Sequence, residues 1–279
     1  MAIVRTHRPV WTAEKCLSCG ACRHCCASTV FPELAEEEDT LRGRVAREVK
    51  FSKKLEGRPP CQAACPLGQD VAGYVTAIAE GDFDRALAVI LETNPFPHVL
   101  GRLCHHPCQR TCVRGKLDQE VPIRALKLAA ARSGRAPALV PEKEENKQVA
   151  IIGAGLAGLS AAYFLRRRGY KVKVYEAEAG PGGQLRGKLP QKDLEADIDI
   201  IRSTGVEIIT GQKQDLGNRP GADAVIVAVG AAGGKKVEIP AGAFGAGEAV
   251  TGKRNEVRAV AEGRRVADEV ERFLEGGGK

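Results

Sequence analysis

Residues 149–158 read Val-Ala-Ile-Ile-Gly-Ala-Gly-Leu-Ala-Gly, and they precede an amphipathic run from Leu159 to Arg168, a short apolar run over Lys171–Tyr175 and then Glu176. This order of strand, glycine-rich turn, helix, strand and acid is typical of a dinucleotide-binding unit. The glycines permit a tight turn, the close approach of a pyrophosphate and helix–strand packing, while the helix N-terminus favours negative charge. Glu176 stands where a carboxylate would bind the ribose hydroxyls of an adenosine. The stretch predicts a nucleotide-binding α/β domain but does not separate FAD from NAD.

The chain changes character on either side of this fingerprint. From the fingerprint onward it is rich in glycine and alternates apolar strands with amphipathic helices, which predicts a parallel sheet. Residues 133–148 are rich in proline, glycine and charge, and this composition predicts a linker. Before the linker, apolar residues at helical spacing predict helices at Val71–Ala79, Phe83–Leu91 and Ile123–Ala131, with Asp82 as a possible N-cap.

The composition is that of an ordinary globular protein, with 43% hydrophobic and 28% charged residues among 279. No apolar run approaches the roughly 18–20 residues of a transmembrane helix, and the N-terminus lacks the apolar stretch of a secretory signal, so we expect a cytoplasmic protein. The net charge of +7 is spread along the chain. It indicates solvated helix faces or, alternatively, a docking surface for an acidic partner such as a ferredoxin-like protein. Nucleic-acid binding is not expected, because no basic stretch interleaves with stacking aromatic residues.

All ten cysteines lie within the first 112 residues, and clustered cytosolic cysteines indicate metal binding rather than disulfides. The spacing C-x2-C-x2-C-x3-C of a ferredoxin-type [4Fe–4S] cluster is matched by Cys16, Cys19, Cys22 and Cys26. Ala27 stands in place of the usual proline, and the adjacent Cys25 leaves the identity of the fourth ligand open. A zinc site is the alternative, but zinc sites normally use two separated cysteine pairs.

A second group of cysteines consists of Cys61, Cys65, Cys104, Cys108 and Cys112. Their three-residue gaps would bring thiolates together at helix ends. Together with Glu80–Phe83, Asn94–Pro97 and Val121–Lys127, this segment resembles the N-terminal iron–sulfur domain of the glutamate synthase small (beta) subunit. The same module occurs in dihydropyrimidine dehydrogenase and in NADH-dependent ferredoxin:NADP oxidoreductase. The resemblance covers about residues 58–132.

The resemblance implies a set of cluster ligands. The family module carries two [4Fe–4S] clusters, and the matching positions are Cys61 and Cys112 for one cluster and Cys65, Cys104 and Cys108 for the other. The family's C-x2-C pair just before Cys61 is absent, and Lys127 stands where the family often has a Glu or Gln ligand. Cys112, Cys61 or the N-terminal cysteines could complete the ligand sets, and we expect two clusters in total. His105 and His106 are possible ligands or contacts of the cluster sulfurs.

The resemblance also implies FAD as the nucleotide. Gly180–Leu185 is similar to the isoalloxazine-side loop of disulfide-reductase-like flavoproteins, and Asp223–Gly230 is similar to their strand on the adenine side. Gly245–Glu248, followed by Val257–Phe273, is similar to the C-terminal flavin motif, in which Glu248 replaces the usual Asp and the following helix points its positive end at the flavin. The cofactor-binding residues predicted from the fingerprint and the resemblance are Gly153, Ala154, Gly155, Leu156, Ala157, Gly158, Glu176, Ala177, Gly183, Gln184, Leu185, Ala228, Gly230, Gly247, Glu248 and Val257.

One part of the family pattern is missing. The family carries a whole NAD(P)H-binding domain, with its own glycine fingerprint. That domain lies between the segments that match Asp223–Gly230 and Gly245–Glu248 in this chain. Here Gly230 and Glu248 are 18 positions apart, and the sequence between them holds no second fingerprint. The chain is therefore similar to the family's flavoprotein without its nicotinamide domain.

These observations predict a ferredoxin-like [4Fe–4S] segment at residues 1–40, a mainly helical iron–sulfur domain at 41–132 and, after the linker, a Rossmann-like α/β FAD-binding domain at 149–279. The predicted function is that of an electron-transfer subunit of a multi-subunit oxidoreductase, which exchanges electrons with a catalytic subunit or a ferredoxin-like carrier. Direct oxidation of NAD(P)H at the flavin and a non-catalytic cluster-binding scaffold are the alternatives.

Overall fold

The protein is seen in a computed structural model that describes residues 58–116, 119–141, 143–217, 221–231, 235–252 and 255–276. The predicted N-terminal cluster of Cys16, Cys19, Cys22 and Cys26 and the predicted segment 1–40 lie outside the described residues. The same holds for Lys53 and Glu56, which stand where the family has a cysteine pair.

The described chain before the fingerprint, from residue 58 onward, is mainly helical. Its elements are α1 (Pro60–Ala64), α2 (Val71–Ala79), α3 (Phe83–Leu91), α4 (Pro97–Leu103), α5 (Pro107–Arg110), a 3-10 turn over Val113–Lys116 and α6 (Ile123–Ser133). The predicted helices at 71–79 and 83–91 are confirmed, and the third extends two residues beyond its predicted end. Asp82 caps α3 as expected, since its Oδ1 accepts a hydrogen bond of 2.9 Å from the backbone N–H of Arg85.

The chain after the linker folds as a parallel α/β domain. Its elements are β1 (Gln148–Ile152), α7 (Leu156–Arg167), β2 (Lys171–Tyr175), a 3-10 turn over Gly183–Leu185, α8 (Gln191–Ser203), β3 (Glu207–Ile209), β4 (Ala224–Val227), β5 (Phe244–Gly245), α9 (Glu248–Thr251) and α10 (Glu256–Leu274). The strand order is β3-β2-β1-β4-β5, and every pairing is parallel. This arrangement confirms the predicted fold class. No helix in the described part of the chain is long and apolar enough to span a membrane.

The central strands are buried on both faces, which explains their continuous apolar sequence. Val149 and Ile151 pack into the main core, whereas Ala150 and Ile152 pack into a smaller core on the opposite face of the sheet. Helices α7 and α10 approach each other closely over the first face. A Cβ atom at Gly263 would lie 2.3 Å from the carbonyl oxygen of Ala157, so glycine is required for this approach.

The helical region is attached to the α/β domain through buried polar groups on α8. The fully buried Asp197 accepts hydrogen bonds from the backbone N–H groups of His98 (3.1 Å) and Val99 (2.8 Å) and contacts Nδ1 of His98 at 2.7 Å. One turn earlier, Asp193 forms ion pairs with Arg102 on α4 and, at 3.3 Å, with Arg132 on α6. These contacts fix α4 against α8.

The predicted linker 133–148 also makes contacts of its own. The backbone N–H of Arg135 donates to Asp84 Oδ1 at 2.8 Å, and the side chain of Leu139 is buried in the main core. The last linker residue, Gln148, begins β1. The linker therefore runs along the protein rather than away from it.

Candidate functional site

A cavity of about 680 Å³ opens at the carboxyl ends of the parallel strands. Ile152, Tyr175 and Ala228, at or just after the ends of β1, β2 and β4, lie in its wall. Ligands of open α/β sheets bind at this edge, and the volume is within the usual range of cofactor sites. Twelve of the sixteen predicted cofactor-binding residues line it, namely Gly153, Gly155, Leu156, Ala157, Glu176, Ala177, Gly183, Gln184, Leu185, Ala228, Gly230 and Glu248.

Each fingerprint glycine has a separate steric role. Gly153 adopts a φ of 108°, and a Cβ atom there would lie 2.5 Å from the carbonyl oxygen of Ala228. A Cβ atom at Gly158 would lie 2.0 Å from the carbonyl oxygen of Gly153. A Cβ atom at Gly155 would meet nothing within 4 Å. Gly153 and Gly158 thus serve the turn and its packing on the helix, whereas Gly155 keeps space open at the N-terminus of α7, where a pyrophosphate fits.

Glu176 joins the turn to the end of β2. Its buried carboxylate accepts hydrogen bonds of 2.9 Å from the backbone N–H groups of Ala154 and Glu178. A carboxylate has about four acceptor positions, so others remain for ribose hydroxyls. Glu176 lines the cavity, which agrees with the adenosine contact predicted for it.

Polar side chains from the 183–185 turn and the C-terminal motif meet at the wall of the cavity. Gln184 Nε2 donates to Glu248 Oε2 at 3.2 Å. Gly247 has a φ of 69°, and a Cβ atom there would lie 2.6 Å from Cβ of Ala157, so the backbone before Glu248 is pressed against the start of α7. These contacts bring the 183–185 turn and the C-terminal motif together around the fingerprint.

Four of the predicted cofactor residues do not line the cavity: Ala154, Gly158, Gly247 and Val257. The first three form the turn and its packing, as described above. Val257 is buried at the start of α10, and its neighbour Glu256 faces the cavity instead. Helix α10 is a separate element that begins eight positions after Glu248. Asn255 is its N-cap, since Asn255 Oδ1 accepts a hydrogen bond of 3.0 Å from the backbone N–H of Arg258.

Sequence reasoning missed the loop that follows β3. Gln212, Lys213 and Gln214 line the cavity near Glu176. Two backbone hydrogen bonds of 2.9 Å hold this loop, from Gly211 N to the carbonyl oxygen of Glu178 and from Gln212 N to that of Glu176. Its position in the chain could have identified it. The loop follows a parallel strand next to β2 and therefore emerges at the same edge of the sheet as the end of β2.

The second group of cysteines converges in the helical region. Burial raises the pKa of the Tyr74 phenol well above its ordinary value, and Cys108, Cys65, Cys61 and Cys104 each raise it further. The four thiols therefore lie around one buried tyrosine, and Cys108 and Cys61 pack in the same cluster as Tyr74. They come from α1, from the residue after α1, from the residue after α4 and from α5. The resemblance groups Cys61 with Cys112, and this grouping stays a prediction; Cys112 is partly exposed and follows α5.

The thiols are available as ligands. None of the five described cysteines forms a disulfide, and Cys104 and Cys108 are buried. The backbone N–H of His106 lies 3.4 Å from Sγ of Cys104, as in the predicted sulfur contact, while His105 is exposed. No group of three His, Cys, Asp or Glu side chains within the described ranges is arranged to hold a single metal ion. A set of partly buried thiols at helix ends, outside any disulfide, is chemically suited to an iron–sulfur cluster.

Comparison with known proteins agrees with both the cysteine group and the nucleotide cavity. Residues 53–137 match the family model of dihydropyrimidine dehydrogenase domain II, 4Fe-4S cluster, and residues 151–203 match that of the NAD(P)-binding Rossmann-like domain. The predicted resemblance to the glutamate synthase small subunit and dihydropyrimidine dehydrogenase is thereby confirmed. The chain thus contains a 4Fe-4S domain followed by a Rossmann-like nucleotide-binding domain.

Three curated relatives are oxidoreductase subunits or chains. The chain is 42% identical to the NADPH-Fe(3+) oxidoreductase subunit beta of Geobacter sulfurreducens, over 54% of this chain and 24% of that protein. It is 36% identical to the NADP(+)-dependent formate dehydrogenase subunit beta of Moorella thermoacetica, over 65% of this chain and 30% of that protein. It is 33% identical to the glutamate synthase [NADPH] small chain of Mycobacterium tuberculosis, over 66% of this chain and 41% of that protein. The matched region is less than half of each relative.

Proposed function

Because its relatives are subunits of multi-subunit oxidoreductases, we propose that this chain is an electron-transfer subunit that holds FAD and [4Fe–4S] clusters. The observation that carries the proposal is the joining of the two candidate cofactor sites in one chain. The nucleotide cavity lies in the α/β domain, the four thiols lie in the helical region, and α8 holds the two regions together. The division of the chain into segments 1–40, 41–132, 133–148 and 149–279 is also part of the proposal.

The cavity residues support FAD as the bound nucleotide. Glu176 would bind the ribose hydroxyls, and the backbone N–H groups at the N-terminus of α7 would bind the pyrophosphate in the space kept by Gly155. Gln184 and Glu248 would orient the flavin end through their shared hydrogen bond. When bound, FAD supplies the exchange between two-electron and one-electron chemistry.

The thiols support one [4Fe–4S] cluster in the helical region. Cys61, Cys65, Cys104 and Cys108 would hold it, since all four lie near Tyr74 and raise the pKa of its phenol. Cys112 remains a further candidate ligand. Of the N-terminal cysteines, Cys16, Cys19, Cys22 and Cys26 would hold a second cluster by their spacing.

The electrons are proposed to enter or leave through a partner. The short connection between Gly230 and Glu248 leaves no room for a second dinucleotide domain. We therefore propose a catalytic subunit or a ferredoxin-like carrier as the partner, in the cytoplasm. A second candidate function is direct oxidation of NAD(P)H at the flavin, which is favoured by the family model matched at residues 151–203.

An anaerobic titration of the cluster-loaded full chain with NADH and with NADPH separates these functions. Flavin absorbance is followed, and dithionite serves as the positive control for reduction. The proposal expects no bleaching by either nicotinamide and full bleaching by dithionite. Rapid stoichiometric bleaching by NADH or NADPH would make the chain a nicotinamide oxidoreductase in its own right. A chain that binds clusters but no reducible FAD would instead favour the non-catalytic cluster-binding scaffold.

A further inference from the structure

A buried lysine lies beside the cysteine group. Lys127 is on α6 and is only 4% exposed. Its Nζ donates to Oε1 of Gln69 at 3.3 Å, and Gln69 is itself 2% exposed. Among the described residues no carboxylate forms an ion pair with Lys127. A buried ammonium with one neutral partner is unfavourable unless a negative charge lies nearby.

Cluster-bound thiolates would supply that negative charge. Ile123 and Ala130, which flank Lys127 along α6, pack in one buried cluster with Cys108 and Tyr74. Lys127 therefore lies on the side of α6 that packs against the cysteine group. The amide nitrogen of Gln69, four residues after Cys65, is buried without a hydrogen-bond partner in the described structure. A polar group of this kind fits beside a cluster whose sulfurs accept hydrogen bonds.

A second cation near the group is placed differently. Arg124 lies one turn before Lys127 on α6 and donates to the carbonyl oxygen of Cys104 at 3.1 Å. Arg124 is partly exposed, so water screens its charge, whereas the charge of Lys127 acts through the protein interior. Of the two cations, Lys127 therefore has the stronger electrostatic influence on the cysteine group.

We propose that Lys127 is a positioning residue that supplies the counter-charge of the cluster held by Cys61, Cys65, Cys104 and Cys108, and that it raises the reduction potential of this cluster. The proposal rests on the proposed function, because it requires the cluster. Reduction adds one electron and one negative charge to the cluster and neither forms nor breaks a bond. A buried cation stabilises the reduced form more than the oxidised form. An ammonium has no free electron pair, so Lys127 does not act as a ligand in the role of a Glu or Gln.

The test is a potentiometric titration of the full, cluster-loaded chain, read by electron paramagnetic resonance. A Cys108→Ala variant first identifies the signal that belongs to this cluster. Lys127→Met then removes the charge at similar length, Lys127→Arg keeps the charge, and Lys143→Met removes an exposed lysine that is 82% accessible. Iron and sulfide contents are measured in parallel.

The proposal expects Lys127→Met to lower the ratio of reduced to oxidised cluster at a fixed potential by about tenfold, which is about 59 mV for one electron. Lys127→Arg and Lys143→Met stay within about threefold of the wild type. Loss of iron in Lys127→Met but not in Lys127→Arg also supports a need for the charge. An unchanged potential in Lys127→Met, equal shifts in both Lys127 variants, or iron loss in both would overturn the inference. If the wild type shows no signal that depends on Cys108, the proposed cluster site fails instead.

Discussion

Replacement of Gly155 by valine is expected to abolish FAD binding while the fold remains intact. Gly155 has φ −84° and ψ −175°, a conformation that any L-residue adopts. A Cβ atom at this position meets nothing within 4 Å. The free energy of unfolding therefore changes only through the N-cap preference of α7, by about 1 kcal/mol.

The effect on binding is larger because the new side chain fills the space at the N-terminus of α7. A pyrophosphate kept away from this end loses hydrogen bonds from backbone N–H groups, and each hydrogen bond to a charged group contributes about 1.5–3 kcal/mol. Loss of two such bonds corresponds to about 3–6 kcal/mol, or a rise in Kd of roughly a hundredfold to ten-thousandfold.

Two measurements on the same protein samples test this prediction. Urea unfolding of the FAD-free variant gives the change in stability, and quenching of FAD fluorescence on titration gives the Kd. FAD binding within about threefold of the wild type would refute the assignment of the Gly155 space to the pyrophosphate. Unfolding of the variant would refute the claim that the space is open.

Three further predictions concern stability. Asp197→Ala leaves two backbone N–H groups and Nδ1 of His98 without their acceptor, at about 1–3 kcal/mol each, so urea unfolding should show a loss of about 3–9 kcal/mol; a loss under about 1 kcal/mol would contradict this. Burial raises the pKa of Asp193, but its hydrogen bonds and ion pairs with Arg102 and Arg132 together outweigh burial and lower the pKa overall. The stability from Asp193 is present above the ordinary carboxyl pKa of about 3.9 and is lost as the pH falls through the lowered value, so the wild type should lose more stability than Asp193→Asn between about pH 4 and pH 2. Gly158→Ala places a Cβ atom 2.0 Å from a backbone carbonyl oxygen, so thermal unfolding should reveal a loss of more than about 2 kcal/mol; an unchanged Tm would contradict the steric argument.

The parts of the fold that were predictable are those with a strong local pattern. The order β1, α7 and β2 follows from an apolar run, a glycine turn and an amphipathic helix, and no distant contact is needed to define it. The cap at Asp82 is equally local. The fingerprint also predicted its own part of the cavity, because Gly153, Gly155 and Glu176 have their roles fixed by the turn that they form.

The parts that were not predictable depend on distant segments. Asp197 lies in an amphipathic helix, and its charge alone would predict a solvent-facing position. It is fully buried because the start of α4, about 100 residues earlier in the chain, supplies donors for its carboxylate. The cavity loop after β3 was missed for a similar reason. Strand β3 has three residues and is only partly buried, so its sequence carries little strand signal, and its place is set by pairing with β2.

Helix α8 explains how the spacing of the two candidate cofactor sites can be fixed. On one side, Leu194 lies against the loop 180–185, since a Cβ atom at Gly182 would be 2.8 Å from the side chain of Leu194. On the other side, the neighbouring Asp193 pairs with Arg102, two residues before Cys104. Adjacent residues of one helix thus contact the cavity loop and the helix that precedes Cys104. A helix is rigid over one turn, and the linker is not the element that joins the two candidate cofactor sites. The distance between these sites is therefore set by the docking of α8 on α4. Electron exchange between a flavin and a cluster in these sites would therefore depend on this buried contact as much as on the cofactor ligands.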